Sequence, residues 1–379
     1  MAGLSTSPLF EPLVLRASGG GSGVAAKNRI WLAPLTNQQS HPDGTLGDDE
    51  LHFLAGRSEG GFGLVETCAA YVAQDGKAWP GELGVHDDAV TPGLRALAAR
   101  VHASGALVSA QLFHGGLRAD PVVSGLPTWS ASAWDDPSVP RPREADEADI
   151  EGVVEAFAAA ARRCREAGFD AVELHGAHGY LLSQFLSTVH NQRSDRWGGA
   201  LENRARLIRR VASAVRAAAP ALVLGVRLSP EDFGNAKGID LDETIQVARW
   251  LADDGVEVLH LSLWRSAQPT KKRPAAHPTQ LFRDAVGSGV RIVVAGAIWT
   301  REEAEHQLEL GADAVALGRA AIVNPTWPEL VRAGITPKRP PRTPEQLRAA
   351  GLSPAFVGYM RNWKGFVADE PPRDVPAPG

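Results

Sequence analysis

Cysteine is scarce in this chain of 379 residues, which contains only Cys68 and Cys164. The two lie far apart and show no metal-ligand spacing, so they cannot form a disulfide framework or hold an iron–sulfur cluster. This scarcity is typical of a reducing compartment, and we expect a cytoplasmic location. No apolar run approaches the roughly 18 residues needed to span a membrane.

A strong excess of one charge is also missing. The net charge is −5, with 22% charged and 44% apolar residues. This balance argues against a nucleic acid or an anionic membrane as the main partner. The first residues, MAGLSTSPLFEPLVLR, lack a basic region followed by a long apolar stretch, so we expect no signal peptide.

A pattern of helix, glycine and strand recurs along the chain. The segments FAAAARRCREAGFDAVEL, TIQVARWLADDGVEVLHL and EEAEHQLELGADAVALG each combine an amphipathic helix with a short apolar strand. The helices stop at Gly168, Gly255 and Gly311, and a related segment turns at Gly105. Glycine suits a helix end because it adopts the left-handed conformation without a steric penalty. The pattern therefore predicts alternating helices and strands.

Eight strands are predicted, near residues 29–35, 63–69, 106–113, 170–175, 222–228, 256–262, 291–295 and 313–317. The helices that separate or follow them are predicted near residues 48–58, 92–103, 147–167, 200–218, 240–254, 278–288, 301–310 and 327–334. Strands that are apolar on both faces and alternate with helices pair in parallel. Eight such units predict a closed (β/α)8 TIM barrel. An open doubly wound sheet is the alternative, although no GxGxxG motif follows the first strand.

Three segments fall outside the repeat, and we predict that residues 1–379 form one domain that includes them. Residues 1–27 contain the run ASGGGSG, which favours a flexible or hairpin-like N-terminal segment. Residues 117–144, rich in proline and tryptophan, insert after strand 3, where we expect an excursion over the active site. Residues 335–379 form a C-terminal extension.

The active site of such a barrel lies at the C-terminal ends of the strands. At those ends, Gly296 and Gly318 would let backbone N–H groups approach an anion, and Arg319 adds charge, so we predict a phosphate site. Across the mouth, Gln111 and Arg227 require polar partners, because an unpaired buried guanidinium is costly. A ligand with a phosphate and a carbonyl-rich ring fits this pattern. FMN is such a ligand, and simple phosphosugars also fit.

The stretch VELHGAHGYL places His175, His178 and Tyr180 where strand 4 ends. Paired histidines also occur in structural cores and in metal sites, so a metal-dependent hydrolase or aldolase is an alternative. A metal would need Asp, Glu or His at other strand ends, and those ends carry mostly Gln and Arg. We therefore predict no metal.

The segments HGAHGYLLSQFLS, NQRSDRWGG and LENRARL together resemble the signature of the Old Yellow Enzyme family of FMN-dependent NAD(P)H:flavin oxidoreductases and ene-reductases. RIWLAPLTN is similar to the first strand of that family, SAQLFHGG to the third, GVRLS to the fifth and ALGRAAIVNP to the eighth. The similarities run in order from about residue 28 to residue 325.

The resemblance implies FMN as the cofactor and NADH or NADPH as the reductant. Arg227 would lie near N1 and the C2 carbonyl of the flavin, where negative charge develops on reduction. Thr67 stands where the family commonly has a smaller residue, and we expect its backbone contact with the flavin to survive. The implied cofactor-binding residues are Pro34, Leu35, Thr36, Thr67, Gln111, Arg227, Ala295, Gly296, Gly318 and Arg319.

The resemblance also implies the reduction of an enone or another activated alkene. His175 and His178 would donate hydrogen bonds to the carbonyl oxygen of the substrate, where charge develops, and Tyr180 would protonate the α-carbon. We expect a small-molecule substrate and no nucleic-acid or membrane partner. The sequence leaves a homo-oligomer open. A flavin-binding protein without turnover is a further alternative.

Overall fold

Eight parallel strands form a closed barrel in the computed structural model, which describes residues 7–17, 23–136 and 139–368. Each strand pairs with the next one along the chain, and the eighth pairs with the first, so the predicted (β/α)8 barrel is confirmed. The strands are β1 Ile30–Leu32, β2 Leu64–Tyr71, β3 Leu107–Phe113, β4 Ala171–Gly176, β5 Val223–Leu228, β6 Val258–Ser262, β7 Arg291–Ala295 and β8 Ala314–Leu317.

The predicted helices are also present between the strands. They are α1 Asp48–Glu59, α2 Thr91–His102, α3 Glu147–Ala167, α4 Arg206–Ala218, α5 Leu241–Asp253, α6 Pro278–Val286, α7 Arg301–Glu309 and α8 Trp327–Arg332. Shorter α-helices span Pro121–Ser124, Leu181–Leu186, Leu201–Arg204, Arg319–Val323, Pro344–Ala349 and Pro354–Met360. Single 3-10 turns span Pro8–Phe10, Gln74–Gly76, Asp88–Val90 and Gly116–Arg118.

Helix α3 shows how local sequence sets the bounds of an element. The Asp146 side chain accepts a hydrogen bond from the backbone N–H of Asp149, whose own carboxylate accepts one from the backbone N–H of Asp146. This capping box satisfies two of the backbone donors that a helix start leaves unpaired. Gly168 ends the helix at φ 89°, as the sequence pattern predicted. The chain then turns directly into β4.

An N-terminal hairpin closes one end of the barrel. Its strands, Leu13–Leu15 and Val24–Ala26, are antiparallel. Leu13 and Leu15 pack against apolar side chains at the start of the barrel strands, such as Leu64 and Leu107. The hairpin agrees with the expectation for residues 1–27, although most of the ASGGGSG run lies outside the described residues. With this end filled by apolar side chains, the other end is left for a ligand.

The excursion after β3 contributes little to the cavity wall. It contains a short parallel strand pair, Trp129–Ser130 and Arg143–Glu144. Among its described residues only Arg118 lines the cavity at the barrel mouth. The Trp129 indole instead donates a hydrogen bond to Asp75, at 2.6 Å. The expectation that this segment covers the active site therefore rests on Arg118 alone and stays a prediction.

The C-terminal extension is fastened to the barrel by a buried arginine on α1. Arg57 is buried, and its guanidinium donates hydrogen bonds to the backbone carbonyls of Ala321, Ile322 and Ala350. Burial lowers the pKa of Arg57 to about 9. Phe356 also packs edge-on against Phe53 of the same helix, with ring centroids 5.1 Å apart. These contacts hold the extension against the outer layer of the barrel.

The substitution Arg57→Met should detach the extension, because it keeps most of the side-chain volume but removes every donor. We expect the free energy of unfolding to fall by about 3 kcal/mol, since several buried carbonyls lose a charged partner. We also expect faster proteolysis near residue 350. The measurements are urea denaturation and limited trypsin digestion. Arg348→Met, at an exposed position, is the control, and equal stability of the two variants would contradict this role for Arg57.

Candidate active site

A cavity of 530 Å³ lies at the C-terminal ends of the strands. Except for Thr67, the residues predicted from the strand ends line it together, which confirms that they meet at one place. These lining residues are Pro34, Leu35, Thr36, Gln111, His175, His178, Tyr180, Arg227, Ala295, Gly296, Gly318 and Arg319. The barrel therefore gathers residues as far apart in the chain as Pro34 and Arg319 around a single space.

Thr67 is not among the lining residues. The pairing of β2 with β3 shifts register between Glu66 and Ala69, and Thr67 lies in this irregular stretch. Its hydroxyl donates to the carbonyl of Cys68 at 2.7 Å and accepts from the N–H of Gln111 at 3.3 Å. Ala69 lines the cavity instead. The contact of Thr67 with the flavin stays a prediction.

The end of the cavity formed by the loops after β7 and β8 fits a phosphate. A Cβ atom on Gly296 would lie 2.7 Å from the carbonyl oxygen of Leu263, so a larger residue would displace backbone there. Burial and the nearby Arg265 lower the pKa of Arg319. Arg319 has no carboxylate partner in the described part of the chain. An unpaired cation beside closely packed backbone provides the donors that an anion requires.

The opposite end of the cavity presents a buried cation. The Nη2 atom of Arg227 donates to the hydroxyl of Ser262 at 3.1 Å, whereas the buried Nε has no partner among the described residues. The amide of Gln111 donates to Glu173 at 2.7 Å. A donor without a partner in a buried position calls for a ligand with acceptor atoms. The pyrimidine edge of a flavin, with its carbonyl oxygens, meets this requirement.

A polar cluster of Glu66, Glu173 and His260 lies inside the barrel, where the two glutamates interact with the charge of Arg227. This cluster was not predicted from the sequence. The Nδ1 atom of His260 lies 2.7 Å from the Glu173 carboxylate. Burial and the neighbouring Glu173 raise the pKa of Glu66 well above its ordinary value. Burial alone would raise the pKa of Glu173 too, yet His260 and Arg227 hold it below its ordinary value. One ionised glutamate therefore faces the arginine, while the other keeps its proton.

The same cluster bears on the alternative of a metal enzyme. The ligand atoms of Glu66, Glu173 and His260 lie within 4.8 Å of one another, although these residues were not recognised as candidate ligands in the sequence. The positive charge of Arg227 acts on both glutamates, which disfavours a cation between them. A signal did exist in the sequence, because each residue is a polar interruption of a predicted apolar strand.

The two histidines lie side by side and are neutral. Their ring centroids are 4.9 Å apart, and burial and the charge of Arg227 lower the pKa of both well below the ordinary value. Nδ1 of His175 accepts a hydrogen bond from the N–H of Ala177, which leaves the ring proton on Nε2. Nε2 of His178 lies 2.6 Å from the hydroxyl of Ser262. Each ring therefore carries one N–H at physiological pH.

Tyr180 lies against the same pair. Its ring centroid is 4.9 Å from that of His175 and 4.5 Å from that of Phe113. The Arg118 guanidinium lies 4.2 Å from the centre of the ring, and its Nη1 donates to the carbonyl of His178. Burial raises the pKa of the Tyr180 hydroxyl, which therefore keeps its proton at neutral pH. A protonated phenol next to two neutral imidazoles can both donate hydrogen bonds and transfer a proton.

Aromatic side chains from distant segments complete the cavity wall. Tyr359 and Trp363, from the C-terminal extension, line the cavity together with Trp79 and Trp299. The sequence did not show whether Tyr359 and Trp363 would cover the flavin or contact another subunit, and the structure brings both to the cavity. Their approach depends on how the extension packs against α1, which no local pattern encodes.

A TIM barrel whose cavity has a predicted phosphate site, a buried cation and neutral proton donors fits a flavin-dependent oxidoreductase. Comparisons with known proteins agree. Residues 8–338 match the NADH:flavin oxidoreductase / NADH oxidase family. The probable NADH-dependent flavin oxidoreductase YqiG of Bacillus subtilis (strain 168) is 38% identical over 340 residues, which cover 86% of this chain and 88% of that protein.

Two further proteins show the same relationship. The NADPH dehydrogenase of Bacillus licheniformis is 33% identical over 332 residues, covering 86% of this chain and 94% of that protein. The solved structure of the Old Yellow Enzyme homologue from Zymomonas mobilis has a TM-score of 0.78 at 28% identity, covering 89% of this chain and 96% of that one.

The chain therefore belongs to the NADH:flavin oxidoreductase / NADH oxidase family, the family of Old Yellow Enzyme. It is an oxidoreductase with FMN as cofactor and NAD(P)H as reductant, as the sequence predicted, and not the metal-dependent hydrolase or aldolase. Among the described residues, no helix is long and apolar enough to cross a bilayer. The cytoplasmic location and the homo-oligomer stay predictions.

Arg319→Leu should weaken the binding of FMN without unfolding the protein, because no carboxylate among the described residues pairs with Arg319. We expect the dissociation constant of FMN to rise about tenfold, the loss of one charge-assisted contact to a phosphate. Equilibrium dialysis with fluorescence detection of free FMN measures this change. Arg249→Leu, an exposed arginine on α5, should bind FMN normally. Unchanged affinity in Arg319→Leu would contradict the phosphate site.

Proposed function

We propose that this enzyme is an ene-reductase that saturates the C=C bond of an α,β-unsaturated carbonyl compound. The observation that carries the proposal is the cluster of His175, His178 and Tyr180, in which two neutral imidazoles and a protonated phenol share one wall of the cavity. Family membership establishes the flavin and the reductant but not the oxidant. The acceptor is therefore inferred from the chemistry of these three side chains.

The histidines suit a substrate carbonyl oxygen. Addition of hydride to the β-carbon of an enone moves negative charge onto that oxygen, and donors aimed at it stabilise the developing enolate. His175 and His178 each have one N–H to give, and burial keeps both rings neutral. The hydrogen bond between His178 and Ser262 fixes the orientation of one ring.

Tyr180 suits the final proton transfer. The α-carbon of the enolate must take up a proton, and a phenol that stays protonated can supply it. Tyr180 is held by Phe113 and by the Arg118 guanidinium, so its hydroxyl has a restricted position.

When bound, FMN would supply the hydride-transfer chemistry that links NAD(P)H to the acceptor. The protein contributes Arg227, whose buried positive charge would stabilise the negative charge that the reduced cofactor carries. The Gln111 amide would complete the contact with the pyrimidine edge. NAD(P)H and the acceptor would occupy the same cavity in turn, which predicts ping-pong kinetics.

Tyr180→Phe should separate the two half-reactions. Reduction of the flavin by NAD(P)H needs no proton from Tyr180 and should stay within about twofold of the wild type, whereas reoxidation by 2-cyclohexen-1-one should slow by about 100-fold or more. Anaerobic stopped-flow absorbance of the flavin measures both rates. Tyr71→Phe, a buried tyrosine outside the cavity, is the control. Equal slowing of both half-reactions would count against proton donation.

His178 needs a more careful substitution, because its backbone has φ 60°, which favours only a few residue types. His178→Asn tolerates this conformation and retains an N–H donor, whereas His178→Ala retains neither advantage. We expect enone turnover to fall by about 100-fold in His178→Ala and to recover in part in His178→Asn, with FMN bound in both. Steady-state kinetics and binding of a phenol measure the effect. Normal kcat and KM in His178→Ala would refute the role.

A further inference from the structure

A second groove, here called the outer groove, adjoins the cavity between the loops that follow β5 and β6. It has a volume of 540 Å³. Five residues belong to both spaces: Phe233, Gly234, Ser262, Leu263 and Trp264. The outer groove therefore continues from the active site, and a ligand with one end in the cavity can extend into it.

A row of aromatic rings leads from the catalytic cluster to the outer groove. The rings of His178 and Phe233 have centroids 6.0 Å apart, and those of Phe233 and Trp264 are 5.8 Å apart. Trp264 is 63% exposed, an unusual position for the largest apolar side chain. An exposed indole at the end of such a row offers a flat surface on which a planar base can stack.

The charges of the outer groove favour an anion. Lys237 and Arg265 are exposed there, and neither pairs with a carboxylate in the described part of the chain. The two acids of the groove accept hydrogen bonds from backbone N–H groups rather than from these cations. Glu231 accepts hydrogen bonds from the N–H groups of two neighbouring lysines, and Asp232 accepts one from the N–H of Ile239 at 2.6 Å. Two cations are thus left for a ligand.

We propose that the outer groove binds the adenosine diphosphate half of NAD(P)H, with the diphosphate at Lys237 and Arg265 and the adenine on Trp264. The nicotinamide must enter the cavity to reduce the flavin, and the other half of the dinucleotide then has to lie outside it. A planar base joined to two phosphates matches an exposed indole beside two free cations. This inference concerns the reductant and does not depend on the ene-reductase proposal.

The test compares reductants that differ only in this half. Reduced nicotinamide riboside (NRH) carries the same dihydronicotinamide as NADH but lacks both phosphates and the adenosine. We expect Lys237→Ala and Arg265→Ala each to raise the apparent dissociation constant of NADH and NADPH about threefold, as for an exposed charged contact, and Trp264→Ala to raise it about fivefold or more, as for a lost stacking contact. The constant for NRH should not change. Anaerobic stopped-flow reduction of the FMN-loaded enzyme measures all three reductants.

Lys272→Ala is the matched control, because Lys272 lies on the same loop but pairs with Asp240 and Asp242. It should behave as the wild type. The proposal is overturned if the groove variants bind NADH and NADPH normally, or if the binding of NRH is weakened equally. Bound FMN is measured by absorbance in every variant. Loss of FMN in Arg265→Ala would assign that residue to the cofactor phosphate. The affinities of Lys237→Ala and Trp264→Ala for NADH and NADPH would then decide whether the outer groove binds the reductant.

An acyl-CoA substrate carries the same adenosine diphosphate group, so a further arm of the test separates the two sources. Reoxidation of the reduced enzyme by crotonyl-CoA is compared between Lys237→Ala and the wild type. If the variant impaired this step and left NADH and NADPH binding normal, the groove would serve the oxidant and the proposal would be wrong. If the variant impaired NADH and NADPH binding alone, the proposal would stand.

Discussion

The site is organised around a guanidinium that the barrel buries without a complete set of partners. Arg227 interacts with the negative charge of Glu173 and donates a hydrogen bond to the hydroxyl of Ser262. Its Nε atom has no partner among the described residues. Burying such a charge is costly unless a further partner arrives. Burial lowers the pKa of His175 and His178, the same charge lowers it further, and both rings are therefore neutral. One buried cation therefore links cofactor binding to the protonation states that the chemistry requires.

The fold could be predicted from the sequence because each of its signals is local. Helix α3 begins at a capping residue, ends at Gly168 and is followed by an apolar strand, and such units recur around the ring. Closure of parallel strands then brings their C-terminal ends together, so Gln111 and Arg319 meet at one cavity although neither shows it alone. The N-terminal hairpin was only suggested, since its pairing with the barrel depends on side chains from many strands.

The parts of the site that the sequence did not reveal depend on long-range packing. Tyr359 reaches the cavity only because Arg57 and Phe53 hold the extension in place. Thr67 does not line the cavity, because it lies at a register shift in β2 and its hydroxyl bonds within the sheet, and its backbone contact with the flavin stays a prediction. Glu66 was overlooked because a carboxyl group inside an apolar barrel is unusual and depends on cross-strand neighbours that only the closed ring supplies.

The central claim is that the hydride goes to the β-carbon of an enone and that Tyr180 supplies the proton to the α-carbon. Isotope tracing tests it most directly. Turnover of 2-cyclohexen-1-one with NAD(P)H deuterated at the transferred position should give cyclohexanone labelled at the β-carbon, and turnover with unlabelled NAD(P)H in D2O should label the α-carbon. Mass spectrometry and NMR of the product show the positions. Deuterium on the carbonyl carbon, or no saturated product from the FMN-loaded enzyme, would contradict the account.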